Sequence, residues 1–340
     1  MKIWLPYIRC GSGTDIFTEQ LAKGINATEH EAVTTSFPHF WQYFPWRLKC
    51  VRAPSGTDII LANSWNGFAF RRPGCKLVTV EHLFVLGPAF FPYRNCLQAI
   101  FHDTLVKHFE TDSMRVADKA VAVSAYTSRS LQRILNVNEL HVILNGIDTD
   151  FFCPAPTTKV ALDNHLVKLL FVGNMSRRKG ADMLPAIMEK LGPGFELNYT
   201  SGLRTRDPFK CLPGMRPLGC LNQEQIRDAY RYADILLLPT RLEGLPLVAM
   251  EAMACGTPVI ASNCASLPEV INDGINGRLC PVDNVEAFTA AVSELAAQPQ
   301  HLLNMGKNAR ETAKKRFSLK RMTQEYIGLF KRLLGDTGAI

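Results

Sequence analysis

The sequence predicts two doubly wound α/β domains in tandem, and three observations predict them. Short runs rich in Val, Ile and Leu alternate with segments of helical period, as in βαβ units built on parallel sheets. The alternation breaks off once, over FFCPAPTTKVALDNH at residues 151–165, where two prolines, two threonines and no clear period read as a linker. The length of 340 residues suits two domains of about 150 residues each, with enough chain for two sizeable cores.

In chain order, the apolar runs of the first half predict strands at 2–8, 58–62, 76–80, 119–123 and 140–143. Helical period appears between them, at 15–26 and 125–135. The second half starts again with strands at 167–172, 196–199, 234–238, 258–260 and 278–280. From 299 to 334 the sequence reads as two consecutive helices with no strand after them. The expected division is 1–160, 161–316 and a terminal helical piece at 317–340. No internal repeat or low-complexity tract interrupts it.

Composition excludes several classes. Mean hydropathy is close to zero and hydrophobic residues make up 47% of the chain, which rules out disorder, collagen and a multi-span membrane protein. No apolar run approaches the roughly 20 residues of a spanning helix, and the start, MKIWLPYIRCGSGTD, turns polar too soon for a secretory signal. The expectation is a cytoplasmic protein, soluble or attached at most to a membrane surface. Net charge is +7, spread over both halves. That is no polycation, so a nucleic-acid partner is not expected, and the excess suits an anionic ligand or an anionic membrane surface. The 10 cysteines form no CxxC pair, and the expected state is buried free thiols. No metal site is expected: the only DxD-type pair is Asp148 with Asp150, in a turn with Asn145 and Gly146 that reads as structural.

Ligands of open parallel sheets bind outside the carboxyl ends of the strands, so chemistry is sought just after each strand and, with two sheets, in a cleft between them. The most informative stretch is DILLLPTRLEGLPLVAMEAMACGTPVIAS, 234–262. An apolar strand ends at Pro239, a loop follows, and Pro246 can open a helix at its first position. Backbone amides around Gly244, Leu245 and Leu247 would then point out of a helix start and could hold a diphosphate. Glu243 in the loop and Glu251 in the helix would repel a diphosphate at contact distance, so they should meet hydroxyls: a ribose diol for Glu251, a hexose hydroxyl for Glu243. The competing reading is an ordinary strand–loop–helix with two solvated glutamates.

The Glu-x7-Glu spacing in EGLPLVAMEAMACGTPVIAS resembles the signature of the retaining family-four glycosyltransferases of GT-B architecture. FVGNMSRRKGADML (171–184) is similar to the family's phosphate-binding strand–loop–helix, and SLPEVINDGINGRLCPVDN (266–284) to the segment after the signature. VAVSAYTSRSLQRI and VILNGIDTDFFCP (121–134 and 142–154) resemble the stretch leading to the interdomain linker. The resemblance covers most of 115–335 and thins out before residue 80. It implies two Rossmann-like domains facing a central cleft, with a last helix crossing back to the first domain.

The resemblance also implies roles. Lys179 matches the lysine that neutralises the leaving diphosphate, where negative charge grows in the transition state. Gly173 ends the preceding strand. Asn174 departs from the family, which commonly has Arg there, so one charged contact is missing or is supplied by Arg177 or Arg178. Gly11 and Gly13, in CGSGTD after the first strand, would let the backbone approach diphosphate and acceptor. They are no nicotinamide fingerprint, since GxGxxG needs a third glycine and position 16 is Ile. His82, ending KLVTVEH, would contact the donor sugar, against the alternative of a core histidine partnered by Glu81. Asn63, where relatives often carry His, is given no role.

Two stretches stand outside the motifs. FPHFWQYFPWRLK (37–49) places Phe37, Phe40, Trp41, Tyr43, Phe44 and Trp46 ahead of Arg47 and Lys49, which suits sugar stacking, a membrane interface or a plain core element. KNARETAKKRFSLKR (307–321), strongly basic with Glu311 as its one acid, suits a solvated helix face or anionic lipid.

The expected function is transfer of a sugar from a nucleotide-sugar donor (UDP-, GDP- or ADP-linked) to a hydroxyl of a glycan or lipid-linked acceptor, with retention. By family resemblance, the setting would be surface polysaccharide or lipopolysaccharide assembly. No cofactor is expected. The alternatives are a sugar-nucleotide epimerase of similar fold and a non-catalytic glycan- or membrane-binding relative.

Overall fold

A computed structural model describes residues 1–137, 139–156, 166–200 and 212–335. The chain divides into two compact units: Met1–Gly146 together with the chain from Leu319 onward, and Ile147–Ser318.

The first unit runs β1 (Lys2–Ile8), α1 (Gly13–Asn26), β2 (Glu31–Phe37), β3 (Ile59–Asn63), β4 (Lys76–Glu81), α2 (Cys96–Phe101), α3 (Lys107–Val116), β5 (Lys119–Ala122), α4 (Ala125–Leu135) and β6 (Leu140–Val142). Its six strands are all parallel, in the order β2-β1-β3-β4-β5-β6. Trp4, Ile60, Leu77 and Phe70 form one core cluster; Val85, Val106, Ala122 and Leu131 anchor another.

The second unit runs β7 (Val167–Phe171), α5 (Leu184–Leu191), β8 (Phe195–Thr200), β9 (Met215–Gly219), α6 (Gln223–Tyr232), β10 (Ile235–Leu238), α7 (Leu247–Ala254), β11 (Val259–Ser262), α8 (Leu267–Val270), β12 (Gly277–Cys280), α9 (Val285–Ala296) and α10 (Pro299–Arg316). Its sheet is also parallel, in the order β12-β11-β10-β7-β8-β9. Central strand β10 is fully buried, as its unbroken Ile-Leu-Leu-Leu run requires. Helix α7 is buried from 249 to 254, the state expected of a helix with apolar residues all round. It packs against α10, and a methyl on Gly306 would come within 2.4 Å of the Gly256 carbonyl oxygen.

The last helix, α11 (Leu319–Leu334), belongs to the first unit and packs on α1. The approach is close enough that a side chain at Gly24 would meet Thr323 Oγ1 at 2.1 Å. Two arginines of the basic run are structural: Arg310 donates to the carbonyls of Thr149, Phe152 and Ala254, and Arg321 to those of Leu144 and Asn145.

Several expectations need correction. Two strands were missed, β2 and β9, and they are an outer strand of each sheet. Edge strands need only one covered side, so EAVTTSF and MRPLG carry polar residues and a proline instead of an apolar run. The helix of the strand–loop–helix read at 171–184 starts only at Leu184, after short 3-10 turns at Arg177–Lys179 and Ala181–Met183. Pro246 caps α7 rather than opening it. The first boundary lies at Gly146, ahead of the stretch read as a linker. The described part of that stretch packs on the second unit through Arg310 and through Phe152 against the Tyr230 ring; residues 157–165 lie outside the described residues. Asp148 turns its carboxylate onto the amides of Asp150 and Phe151, a turn-stabilising arrangement. Cys255 and Cys280 are buried free thiols, whereas Cys50, Cys96 and Cys220 are exposed; Cys211 lies outside the described residues.

Candidate active site

In the second unit the chain builds outward from β7 to β8 and β9, then returns to lay β10 against the other side of β7. At such a switch point the loops leaving two adjacent strands diverge to opposite faces and open a crevice at their carboxyl ends. The loop after β7 carries Gly173, Asn174, Arg178 and Lys179; the loop after β10 carries Glu243, Gly244 and Leu245. The topology therefore delivers both sequence motifs to one place.

Local chemistry fixes the first loop. The Gly173 amide donates to Thr200 Oγ1 at 3.0 Å. Asn174 is exposed, and its carbonyl accepts from the Ser176 amide at 2.7 Å. Ser176 caps the turn Arg177–Lys179, and Gly180 follows with φ 73°. A Cβ there would fall 1.9 Å from the Pro239 carbonyl oxygen, so only glycine lets this loop close onto the end of β10.

Closure brings Lys179 Nζ to 2.6 Å from Glu243 Oε1. Thr240 donates to the same oxygen at 3.1 Å. Arg178 reaches Glu243 Oε2 only at 3.7 Å and spends its hydrogen bond on the Leu242 carbonyl, at 2.7 Å. The structure thus pairs two residues that sequence reasoning aimed at different ligand groups. Burial lowers the Lys179 pKa, which the Glu243 charge only partly offsets. Burial pushes Glu243 up, but Lys179 and Arg178 outweigh it and leave its carboxyl below the usual range.

Glu251 lies in α7, 7% exposed. Its Oε2 accepts at 2.9 Å from the hydroxyl of Tyr230, a fully buried residue at the end of α6. Burial pushes the Glu251 carboxyl up to about 7, against the lowering effect of that hydrogen bond. Gly244 and Leu245 are buried in the loop ahead, and Leu247 is the first residue of the helix. Tyr230 was missed, and nothing in its local pattern marks it apart from an ordinary apolar position of an amphipathic helix.

Arg241 was missed as well. Its amide donates to the Arg178 carbonyl at 2.8 Å, and its guanidinium meets the Arg177 carbonyl. The same guanidinium makes two bonds to Asp182, at 2.7 and 2.9 Å, and one to Asp283, at 2.5 Å. One side chain therefore ties together the loops after β7, β10 and β12. Arg241→Ala is expected to lower turnover about tenfold by loosening the Lys179 loop, with a stability loss of only about 1 kcal/mol because both aspartates are well exposed. Lysine should not restore the rate, since it lacks the planar fork. Turnover measured beside denaturation midpoints checks this; equal turnover in the alanine variant would remove Arg241 from the site.

In the first unit the switch point lies between β1 and β3. The glycine loop leaves β1 there, with Gly11 at φ 64° and Gly13 as the first residue of α1. The amides of Cys10 and Gly11 already have an anionic acceptor, the Asp15 carboxylate, at 2.8–3.2 Å. His82 follows the end of β4 and packs edge-on against Phe17 of α1, with ring centroids 4.6 Å apart. Burial lowers its pKa to about 4, so the imidazole is neutral at pH 7. Glu81 is not its partner. It accepts instead from Ser64 at 2.6 Å and from the Leu83 amide at 3.0 Å. Burial, and then the Glu81 charge beside it, hold the Glu110 carboxyl well above the usual range.

The family model described as Glycosyltransferase Family 4 matches residues 11–151, and that described as Glycosyl transferases group 1 matches residues 215–312. The chain is 27% identical over 253 residues to alpha-maltose-1-phosphate synthase of Mycolicibacterium smegmatis, covering 66% of this chain and 65% of that one. It is 30% identical over 204 residues to an uncharacterized 41.2 kDa protein in the cps region of Klebsiella pneumoniae, covering 58% and 56%. The matches thus span less than two thirds of the length of these two relatives. Among solved structures, sucrose-phosphate synthase from Thermosynechococcus elongatus superimposes with a TM-score of 0.83 at 20% identity, over 98% of this chain and 100% of that one. One family model lies on the first unit, the other on the second, and the parallel sheets are those of the solved relative: the chain belongs to the family-four (group 1) glycosyltransferases of GT-B fold.

Proposed function

We propose that the chain transfers a glycosyl group, with retention, from a nucleotide sugar to a hydroxyl of a glycan or lipid-linked acceptor. The observation that carries this reading is the switch point of the second unit, where a partly buried Lys179 pairs with the buried Glu243 just ahead of the helix that carries the buried Glu251. A partly buried cation and amides suit a diphosphate, and an acceptor carboxylate suits a ribose diol. In the reaction the bond from the anomeric carbon to the diphosphate breaks and the acceptor oxygen bonds on the same face. The acceptor proton passes to the departing phosphate oxygen, and Lys179, supported by Arg178, takes up the charge that grows there. Neutral His82, and the loop of Gly11 and Gly13, are assigned to sugar and acceptor. The cps-region relative favours a place in surface polysaccharide assembly.

Titration of UDP, GDP, ADP and dTDP into the wild type and Glu251→Ala tests the donor site, followed by nucleotide release with and without acceptor. Binding of one nucleotide, weakened in the variant, with release that needs acceptor, supports the reading. Turnover of the nucleotide sugar alone would favour an epimerase, and no binding at all a non-catalytic relative.

A further inference from the structure

We infer that the first unit docks on an anionic lipid surface through an aromatic and aliphatic face. The face begins at two short 3-10 turns, His39–Tyr43 and Pro45–Cys50. Pro38 and Pro45 stand at their starts and restrict the backbone to these tight turns. The first has no buried residue, and Phe40 is 53% exposed and Trp46, in the second, 46%. Beside them lies α2, whose sequence CLQAIF would normally be a core helix yet has no buried residue. Leu97 is 79% exposed and Ile100 63%. The two segments adjoin, because the Tyr43 ring sits 5.2 Å from Phe101 of α2.

A contiguous apolar face of this kind marks an interaction site, and the charges around it select the occupant. Residues 37–52 carry Arg47, Lys49 and Arg52 and no carboxylate. On the other segment, Asp103 is held by both terminal nitrogens of Arg94, at 2.7 and 2.9 Å, and Lys107 adds a further positive charge. The rim is therefore positive. A second copy of the chain would bring the same positive rim against it, whereas acidic headgroups complement it. A sugar would stack on the aromatic rings, but Leu97 and Ile100 offer a sugar no flat face and suit acyl chains. Aromatic and aliphatic groups at one level with basic residues beside them form the pattern of a protein lying in the headgroup boundary. Among the described residues no helix is long and apolar enough to cross a membrane, so this attachment would be to the surface.

The test uses the full chain and sedimentation with vesicles of phosphatidylcholine alone or containing phosphatidylglycerol. The expected result is partitioning onto the anionic vesicles that weakens as salt is raised. It should fall about tenfold or more in Phe40→Ser/Trp46→Ser, and likewise in Leu97→Ser/Ile100→Ser. Nucleotide affinity should stay unchanged in both variants, which separates this inference from the proposed function and shows that the variants are folded. Failure of the wild type to bind anionic vesicles, or wild-type binding by both folded variants, would overturn it. So would concentration-dependent dimerisation lost in the variants, which would give the face to a second copy.

Discussion

Lys179→Ala is expected to lower turnover on the order of 10²–10³-fold while changing nucleotide affinity far less. The reason lies in what Glu243 does before any donor arrives. A lysine ammonium buried at this site tends to lose its proton, and the carboxylate 2.6 Å away opposes that loss. The cation is therefore already desolvated and in place, so little reorganisation is left when charge develops on the departing phosphate. That charge competes with Glu243 for the same ammonium, and the competition is strongest in the transition state. On the proposed reading, ground-state binding leans more on amides and on Glu251.

Glu243→Gln separates the charge from the scaffold. Glutamine keeps an acceptor for Thr240 but removes the carboxylate that holds the proton on Lys179. The Lys179 pKa, already lowered by burial, should fall further, so the alkaline limb of the turnover profile should move to lower pH. Within threefold of wild-type turnover for folded Lys179→Ala, or an unmoved alkaline limb in Glu243→Gln, would each count against this arrangement. The sign for stability runs the other way. The folded pKa of Glu243 is depressed, so its contribution is present above the ordinary carboxyl range and is lost as pH falls through that range.

How far the sequence could be read follows from what each feature depends on. The central strands were legible because strands covered on both faces must be apolar throughout, as in Ile-Leu-Leu-Leu of β10. Edge strands β2 and β9 carry no such requirement and escaped. The loops were legible as motifs because their spacing is local. The Lys179–Glu243 contact was not, since the two residues stand 64 positions apart and meet only because β10 returns to the side of β7. Glu81 beside His82 looked like a local partner, but its carboxylate is taken up by the Ser64 hydroxyl, 17 positions away, and by the Leu83 amide. Arg241 and Tyr230 act through distant backbone and side-chain groups, and no short spacing announces either. The exposed face of α2 was invisible for the converse reason: an apolar helix pattern reads the same whether or not anything covers it.

Glu251 supplies the second large effect, and its dependence on pH gives the sharper test. Glu251→Ala is expected to weaken nucleotide binding by about 1.5–3 kcal/mol, the range for hydrogen bonds to a charged group. Ribose hydroxyls donate, so they favour the ionised carboxylate, yet burial holds this carboxyl at about 7 in the free protein. Donor binding should therefore weaken as pH falls below about 7, by at most about tenfold per pH unit, and near neutrality it should release a fraction of a proton. Folding stability has the opposite slope. Because the folded pKa is raised above the ordinary 4.5, the favourable contribution is present below that value and is lost as pH rises through about 7. An ionised Glu251 in this buried place costs stability, and the Tyr230 hydroxyl limits the loss. Tyr230→Phe should raise the Glu251 pKa further and move the fall in affinity to higher pH. Glu251→Gln should flatten both slopes, leaving only the titration of the nucleotide's terminal phosphate near about 6. Calorimetry across pH in buffers of differing ionisation heat, beside denaturation midpoints at the same pH values, reads all of these together. Wild type and Glu251→Gln with the same pH dependence of binding would remove Glu251 from the ribose.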